Sequence, residues 1–549
     1  MSKFQFLYIT FSSLIYSAIF SQNISNKFIF PLERNPVVTG NYGELRPNHF
    51  HAGLDFSTDP KINLPIKSIS DGYVSRIKIS SGGYGRVLYI THANGYVSVY
   101  AHQKKYASKI DTYVKKKQIE QQKNEIELIL NPNEIVVKQG EVIGYTGNSG
   151  SSTGPHLHFE IREEKSEIPL NPLLFYTISD NIKPVLTHLA LYNSLDSNNI
   201  KQTKTILLNN KQKGGNSELN KLIFVDNSFA IGYSGYDMAD ASTNKNNIYE
   251  AKVLLDGKLI YNHQLNNISF DDARYVNYFS EKENGIKIQK CFAPNCQNIG
   301  LYKTLANKGI ITLSDTLIHN LKLEVFDEKG NKNEQIFKVK SKNNSNNKDS
   351  KIKVNAFCNK DFNLKQNNID IFIKAGSMVE NCDIKIQSLN NSDYFSIICT
   401  SDFLMHPMVV SFNPIKINKS FADKIVMMCN QNSIGGKFEN NKLVAESKSF
   451  GIFSYKYDTI PPNITLIKNK KQPNFKNKIS FKINDNLSGI KDYNLFINDK
   501  WCITEFDAKT STITCFFDEQ TPKVNVHLKL IVTDKVENKS TFESQELFE

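Results

Sequence analysis

The sequence lacks the motifs of several common hydrolase and binding classes. It contains no His-Glu-x-x-His and no Gly-x-Ser-x-Gly motif, so a thermolysin-type metallopeptidase and a serine hydrolase are both disfavoured. It contains no Cys-x-x-Cys pair, which disfavours a cysteine zinc ribbon. The formal net charge is +12, yet the lysines are spread along the chain without a dense basic block. We therefore expect general surface basicity and no nucleic-acid partner.

Cysteine is also missing from the first 290 residues, and all eight cysteines lie from Cys291 onward. An even number of cysteines in an exported chain allows disulfides. The closest pairs along the chain are Cys291 with Cys296 and Cys502 with Cys515, and these are the local disulfides that we expect. Buried or free thiols are an equally weighted alternative.

The N-terminus resembles a secretory signal peptide over residues 1–21. Lys3 supplies a positive start, the run Phe4–Phe20 is mostly apolar but interrupted by polar residues, and the small residue Ser21 precedes Gln22. Residues 22–36 form a short lead-in. No later stretch is apolar enough to predict a transmembrane segment. We expect an exported protein that acts in the periplasm, the cell envelope or the extracellular space.

The chain of 549 residues is too long for one core, and its patterns predict a mostly β protein with several domains. Residues 37–175 alternate as strands do and predict an antiparallel β domain, with an inserted helix at Lys104–Lys123. Further on, the strand and Asp-led turn of Leu321–Lys332 are echoed by Leu528–Lys539. These patterns predict immunoglobulin-like β-sandwich modules at 184–345 and 459–549, with a β-rich module between them at 351–457.

Histidines carry the most specific chemistry. In the stretch Gly154–Ile161, His156 and His158 are two residues apart, so on a strand they share one face. Upstream, the spacing His51-x-x-x-Asp55 offers an imidazole and a carboxylate, and His102 adds a further imidazole. About three protein ligands and one open position are the requirements of a catalytic zinc site.

The ordered set of His51-x-x-x-Asp55, Tyr-Ala-His102 and His156-x-His158 resembles the lysostaphin-like zinc metallopeptidases of peptidase family M23, over residues 37–175. The resemblance implies that His51, Asp55 and His158 bind one Zn²⁺ per chain. It implies that His102 and His156 are catalytic, and which of them acts as base stays open. Two neutral imidazoles and one carboxylate would leave a centre with a net charge of about +1, which activates water at neutral pH.

The resemblance also implies a function, the hydrolysis of stem or cross-link peptides of peptidoglycan by an exported endopeptidase. One alternative is a non-catalytic zinc-binding envelope protein whose β modules bind or activate another cell-wall hydrolase. A second is a protease that acts on exported proteins. Residues near the motif have weaker expectations: Arg46 and Asn48 contact substrate or pack on the loop, His49 lies at the cleft edge, and Glu160 orients a ligand imidazole.

Overall fold

The structure is a computed structural model. It describes residues 28–549 except 34–36, 59–62, 177, 195–199, 209–216, 241, 297–298, 343–353, 389–392, 402, 469–474, 476, 518–525 and 549. The expected signal peptide at 1–21 and part of the lead-in lie outside the described residues. Within them, none of the helices has both the length and the apolar character needed to cross a bilayer.

Residues 37–175 form an antiparallel β domain with one long helix. Its elements are, in chain order, β1 (Val38–Gly40), β2 (Leu45–Arg46), β3 (His49–Phe50), β4 (Leu54–Ser57), β5 (Pro65–Lys67), β6 (Gly72–Ile79), β7 (Arg86–His92), β8 (Tyr96–Ala101), β9 (Lys105–Tyr106), α1 (Ser108–Gln121), β10 (Ile126–Ile129), β11 (Val136–Val137), β12 (Val142–Tyr145), β13 (His156–Glu163), β14 (Pro169–Leu170) and a 3-10 helix (Pro172–Leu174).

A large sheet runs in the order β1-β4-β13-β8-β7-β6-β10, and a smaller sheet runs β5-β12-β9. Strand β13 lies between β4 and β8, so side chains from three chain segments meet on it. Leu157, Phe159 and Ile161 face the hydrophobic core and are fully buried. Because side chains alternate along a strand, His156, His158 and Glu160 face the opposite side.

The predicted inserted helix is present as α1, shorter than the predicted span of 104–123. It begins after Ala107, whose backbone is extended, and ends at Gln122 in the left-handed conformation. Ile110 and Val114 are buried against the domain core, which fixes one face of the helix. Strand β10 follows the helix.

A second region contains two six-stranded sheets that enclose one core. Strands β17 and β26 pair in parallel, whereas the other neighbours in these two sheets are antiparallel. The elements are β15 (Val185–Ser194), β16 (Ile200–Leu207), β17 (Ser217–Val225), β18 (Ser228–Tyr236), β19 (Glu250–Leu255), β20 (Lys258–Gln264), a 3-10 helix (Phe270–Tyr275), α2 (Val276–Phe279), β21 (Ser280–Glu283), β22 (Ile286–Lys290), β23 (Tyr302–Leu305), a 3-10 helix (Ala306–Gly309), β24 (Ile311–Thr312), β25 (His319–Phe326) and β26 (Lys332–Ser341).

A third region contains two five-stranded sheets with their own core. Its elements are β27 (Phe362–Gln366), β28 (Ile369–Ile373), β29 (Ile384–Ser388), β30 (Phe395–Cys399), β31 (Met408–Phe412), a 3-10 helix (Lys419–Lys424), β32 (Ile425–Cys429), β33 (Asn432–Gly435), β34 (Lys437–Glu439), β35 (Lys442–Ser447) and β36 (Gly451–Tyr457).

A fourth region contains two four-stranded sheets around one core. Its elements are β37 (Asn463–Leu466), β38 (Lys478–Asn484), β39 (Ile490–Ile497), β40 (Lys500–Cys502), β41 (Glu505–Asp507), β42 (Thr512–Phe516), β43 (Val526–Asp534) and β44 (Lys539–Glu546). The expectation of a mostly β fold is confirmed.

A further apolar cluster, here called the junction core, joins three of these regions. The hairpin β2–β3 contributes Leu45 and Phe50, and Phe50 packs edge-on against Phe279 of α2 at 5.6 Å between ring centroids. Val379 and Met405 of the third region complete the cluster. The segment that leads into His51 is thus packed by residues far away in the sequence.

The expected disulfide between Cys291 and Cys296 is wrong. Cys296 is bonded to Cys358, 62 residues away, with 6.0 Å between their Cα atoms. Cys291 and Cys296 do not pair because Cys291 is buried in the core of the second region while Cys296 packs against the core of the third.

Candidate metal centre

His51, Asp55 and His158 meet at one buried point. Asp55 on β4 is the direct cross-strand neighbour of His158 on β13, and His51 lies three residues before β4 begins. Asp55 Oδ1 is 3.1 Å from His51 Nε2 and 2.9 Å from His158 Nδ1. The two histidine nitrogens are 2.9 Å apart. The three side chains therefore present three donor atoms to one small space.

The outer hydrogen bonds of the two imidazoles set their tautomers. His51 Nδ1 lies 2.8 Å from the carbonyl oxygen of Asn41, which can only accept, so Nδ1 carries the proton. His158 Nε2 lies 2.8 Å from Glu160 Oε1, so it donates to that carboxylate. Each ring is left with a lone pair on the nitrogen that faces Asp55. Two lone pairs and a carboxylate oxygen at this separation repel one another unless a cation lies between them, and the donor set fits Zn²⁺.

The pKa values indicate the same preference for positive charge. Burial lowers the pKa of His158, but hydrogen bonds with Asp55 and Glu160 outweigh burial and raise it to about 9. Burial raises the pKa of Asp55, but His51 and His158 bring it well below its usual value. The cluster thus holds an anionic carboxylate beside a position that favours a cation.

Glu160 continues the network behind His158. Its carboxylate is fully buried, accepts a hydrogen bond from Arg162 Nε at 2.6 Å, and accepts another from the hydroxyl of Tyr84. The Tyr84 ring stacks on the His158 imidazole with 5.2 Å between centroids. His158 is therefore fixed by a charged hydrogen bond on one edge and by an aromatic ring on one face.

Arg46 lies on the open side of the centre. Its Nη2 is 2.5 Å from Asp55 Oδ2 and 3.0 Å from Glu44 Oε2. The hairpin β2–β3 places it there, although Arg46 is nine residues from Asp55 in the sequence. The guanidinium binds Asp55 Oδ2, the carboxylate oxygen that does not contact the histidines. This contact directs Oδ1 towards His51 and His158.

His102 and His156 lie side by side, with 4.7 Å between ring centroids. His102 Nδ1 lies 2.8 Å from Ser149 O, and His156 Nδ1 lies 2.8 Å from Gly154 O. Each ring therefore carries its proton on Nδ1 and keeps a lone pair on Nε2. Burial and the neighbouring imidazoles of His158 and His156 lower the pKa of His102 to about 3, so its ring is neutral at pH 7.

The loop between β12 and β13 supplies both carbonyl acceptors, and Ser152 Oγ lies 3.1 Å from His156 Nδ1. His156 Nε2 is buried, has no hydrogen-bond partner in the described residues, and lies 3.5 Å from Asp55 Oδ1. His156 is thus the imidazole with an unused acceptor next to the candidate ligands.

The remaining predicted residues lie around the centre. His49 is exposed and contacts the carbonyl of Pro47. Asn48 has a positive φ of 64° and accepts from Asn277 Nδ2 at 3.3 Å.

Sequence reasoning missed Tyr84, Arg162 and Asn41. Arg162 was accessible from the sequence, because it continues the alternation of His158 and Glu160 on one face of β13. Tyr84 lies in the turn Gly82–Gly85, where the glycines predict a turn but say nothing of its packing on a histidine. No sequence signal marks Asn41, because its contribution is a backbone carbonyl.

A cleft of about 690 Å³ lies beside this domain, between the β12–β13 loop and the fourth region. It is lined by residues such as Asn148, Gly150, Thr504 and Lys509, and none of the five predicted metal and catalytic residues lines it. Lys509 Nζ donates to the carbonyl oxygens of Asn148 at 2.7 Å and Ser152 at 3.3 Å. The turn between β41 and β42 therefore contacts the loop whose carbonyl groups bind both His102 and His156.

Part of this chain is similar to proteins of a known family. The model of peptidase family M23 matches residues 49–119 and 129–172. A metalloprotease of Haemophilus influenzae is 35% identical over 130 residues, which are 24% of this chain and 21% of that protein. The DD-carboxypeptidase/endopeptidase Mpg of Neisseria meningitidis is 33% identical over 123 residues, 22% of each protein. The chain thus spans about a fifth of the length of these curated relatives.

Solved structures match the same part of the chain. The catalytic domain of lysostaphin from Staphylococcus simulans is 26% identical, with 26% of this chain and 92% of that chain covered and a TM-score of 0.20. A zinc-containing peptidase from Vibrio cholerae is 25% identical, with 27% and 39% covered and a TM-score of 0.20. The resemblance expected from the histidine motifs is confirmed by the family match.

Proposed function

We propose, from the match of residues 49–119 and 129–172 to the model of peptidase family M23, that this chain is an exported zinc metalloendopeptidase that hydrolyses peptide bonds of peptidoglycan. The observation that carries the proposal is the convergence of His51 Nε2, Asp55 Oδ1 and His158 Nδ1 within about 3 Å of one another, beside two further imidazoles. A zinc-binding protein without catalysis would need the first three groups only.

One zinc ion per chain would be held by His51, Asp55 and His158. When bound, zinc supplies Lewis-acid polarisation of a peptide carbonyl and lowers the pKa of water. The Asn41 carbonyl and the Glu160 carboxylate would orient the two ligand imidazoles, so that His51 Nε2 and His158 Nδ1 face the metal. Arg46 holds the second oxygen of Asp55 in place.

His102 and His156 are the proposed proton carriers. Nε2 is the accepting atom of each neutral ring, because Nδ1 donates to a backbone carbonyl. A neutral Nε2 can accept a proton from water and return it to the departing amine, and in its protonated state it can stabilise a developing oxyanion. Their rings share one side of the centre, so one substrate carbonyl can lie against both.

The substrate class is supported by the lysostaphin-like motif set and by relatives whose names include DD-carboxypeptidase/endopeptidase. Arg46 is the cationic side chain beside the metal ligands, with 30% of its side chain exposed. We propose that this exposed edge, with Asn48 on the same hairpin, contacts carbonyl or carboxylate groups of the peptide. His49 would lie at the rim of that surface.

Export and the domain division complete the proposal. We propose removal of residues 1–21 and a peptidase domain at 37–175, followed by modules at 184–345, 351–457 and 459–549 whose sheets have separate cores. These modules would position the peptidase on the envelope or bind an envelope protein.

The test is mass analysis of muropeptides after digestion of purified peptidoglycan. The parent protein should release peptides cut at one type of bond, and removal of zinc by chelation should abolish release until zinc is restored. His156→Ala should keep one zinc per chain and lose product. His406→Ala is the control, because His406 is exposed in the third region and the variant should retain both zinc and activity.

The possible outcomes separate the alternatives. Zinc at one per chain without any muropeptide release would favour the non-catalytic envelope protein. Cleavage of glycine-rich or exported-protein peptides with intact peptidoglycan would favour a protease of another substrate class. Absence of zinc in the parent protein would refute the proposal.

A further inference from the structure

The two hairpin turns that echo each other in the sequence have the same hydrogen bonds. In the turn between β25 and β26, Asp327 Oδ1 accepts from the backbone N–H groups of Lys329 and Asn331, and Asp327 Oδ2 accepts from Asn331 Nδ2. Asn331 Nδ2 also donates to the carbonyl oxygen of Asp180, at 2.9 Å. Asp180 lies in the segment that enters the second region.

The turn between β43 and β44 repeats this arrangement. Asp534 Oδ1 accepts from the N–H groups of Val536 and Asn538, and Asp534 Oδ2 accepts from Asn538 Nδ2. Asn538 Nδ2 donates to the carbonyl oxygen of Asp458, at 2.7 Å. Asp458 lies in the segment that enters the fourth region. Each hairpin therefore binds the incoming linker of its own region.

Each linker aspartate is also part of a group of three carboxylates. One group consists of Asp180, Asp237 and Asp327, and the other of Asp458, Asp485 and Asp534. Within each group, one oxygen from every residue lies within 4.8 Å of the other two. The third members take matching positions, because Asp237 follows β18 and Asp485 follows β38 at the end of a central strand. The two groups, referred to below as the first and second triads, are thus equivalent in their sandwiches.

Both triads contain buried carboxylate oxygens without a partner. Asp458 is 1% exposed and its Oδ1 has no hydrogen-bond partner, while its Oδ2 accepts from the N–H of Ser488. Asp485 Oδ1 and Asp237 Oδ1 are likewise buried and without partners, and Asp237 is 4% exposed. Among the described residues, no Lys or Arg side chain forms an ion pair with any of the six aspartates. Clustered buried carboxylates without a counter-charge are costly, and a bound cation removes that cost.

The first triad also borders a cavity. A space of about 30 Å³ is lined by Asp180 and Asp237, together with Glu328 and the neighbouring Asn246. A volume of roughly 10–15 Å³ holds one water-sized particle, so one ion fits with room for a water ligand. The carboxylates and amides of this lining offer oxygen ligands, and the Lys329 ammonium, which also lines the cavity, donates to the carbonyl oxygen of Tyr176.

We propose that the two triads are calcium sites, one at the entry to each of these two sandwiches. Calcium is favoured because it accepts irregular sets of six to eight oxygen ligands, whereas Mg²⁺ requires near-ideal octahedral geometry and zinc prefers nitrogen and sulfur. Each ion would join the linker aspartate to a central strand and to the last hairpin. The two linkers would then become rigid parts of their sandwiches when calcium is present.

The experiment uses the full-length zinc-loaded protein, dialysed into calcium-free buffer and titrated with CaCl₂. Equilibrium dialysis with elemental analysis should find two calcium ions per chain while zinc stays at one. Asp237→Asn and Asp485→Asn should each reduce calcium to one ion per chain, and the double variant should bind none. Each substitution keeps the side-chain shape and removes one charge, so the affinity of the altered site should fall by at least tenfold.

Matched controls are Asp256→Asn and Asp492→Asn, which neutralise exposed aspartates in the same two sandwiches and should retain two ions. Calcium should also raise the melting temperature of the parent protein, and the double variant should lose this shift. Titration of the parent protein needs no variant, so misfolding of a variant leaves the test intact. Absence of calcium binding at millimolar concentration, or stoichiometry unaffected by both substitutions, would overturn the proposal. Equal competition by Mg²⁺ would overturn the choice of calcium.

Discussion

Replacement of Glu160 by Gln is the sharpest test of how the metal centre is organised. The Glu160 carboxylate is fully buried and accepts hydrogen bonds from His158 Nε2 at 2.8 Å, from Arg162 Nε at 2.6 Å and from the Tyr84 hydroxyl. Gln has nearly the same shape but no charge. The substitution therefore removes the anion that fixes the tautomer of His158 without opening a cavity.

Two effects of different size are expected from Glu160→Gln. Loss of a carboxylate behind a ligand histidine costs about 10–100-fold in metal affinity, which corresponds to about 1.4–2.7 kcal/mol. Arg162 is 4% exposed and would lose its buried counter-charge, and removal of one partner of a buried pair costs about 3–5 kcal/mol. The loss in the free energy of unfolding should thus exceed the loss in the free energy of zinc binding.

The two effects are measured separately. Zinc affinity is measured by competition with a chromophoric chelator at low temperature, and stability by chemical denaturation of the zinc-free protein. Glu163→Gln is the matched control, because Glu163 lies on the same strand but is exposed. The control should match the parent protein in both assays. If Glu160→Gln keeps the parent zinc affinity within about threefold, Glu160 does not orient His158 and the argument fails.

Three further predictions concern the core of the first domain, the disulfide, and Lys509 in the turn between β41 and β42. Phe159→Ala should destabilise the peptidase domain by about 3–5 kcal/mol in chemical denaturation, because its ring is fully buried; a loss below 1 kcal/mol would contradict the described packing. Cys358→Ser should lower the free energy of unfolding by about 4 kcal/mol, because the variant loses the loop-closure entropy of the disulfide. The measurement is chemical denaturation with and without reductant, and an effect of reductant that persists in the variant would contradict the pairing with Cys296. Lys509→Ala should lower kcat for peptide cleavage several-fold at unchanged zinc content, because the loop that holds His102 loses its contact with the fourth region. Lys500→Ala, also exposed, should leave kcat unchanged, and equal rates in both variants would refute this role.

The metal centre was largely predictable because it depends on strand alternation. His156, His158 and Glu160 share a face of β13 through a period of two, which any extended segment has. The pairing of Asp55 with His158 across β4 and β13 is a long-range register, and only the family resemblance brought these residues together in advance. The alternation of side chains predicts which residues share a face of one strand. The register between two strands is known only from the folded sheet.

Other features depend on packing between distant segments and left no local signal. The ion pair of Arg46 with Asp55 requires the β2–β3 hairpin to fold over the centre. The Cys291–Cys296 pair was expected from proximity in sequence, but the four residues between these positions cross from one hydrophobic core to another. Proximity in the sequence did not predict the pairing, because the side chains of Cys291 and Cys296 pack into different cores.

The junction core has a consequence for how this protein can be engineered or rearranged by recombination. Leu45 and Phe50 are nearly inaccessible to water, and the cluster that buries them includes Phe279, Val379 and Met405 from other regions of the chain. A fragment that ended near residue 175 would expose the apolar side chains of the hairpin β2–β3 to solvent, directly before His51 in the sequence. Residues 37–175 are therefore not suited to transfer into another protein by themselves. A fusion protein would need either another apolar surface to cover the hairpin or polar substitutions at its apolar positions.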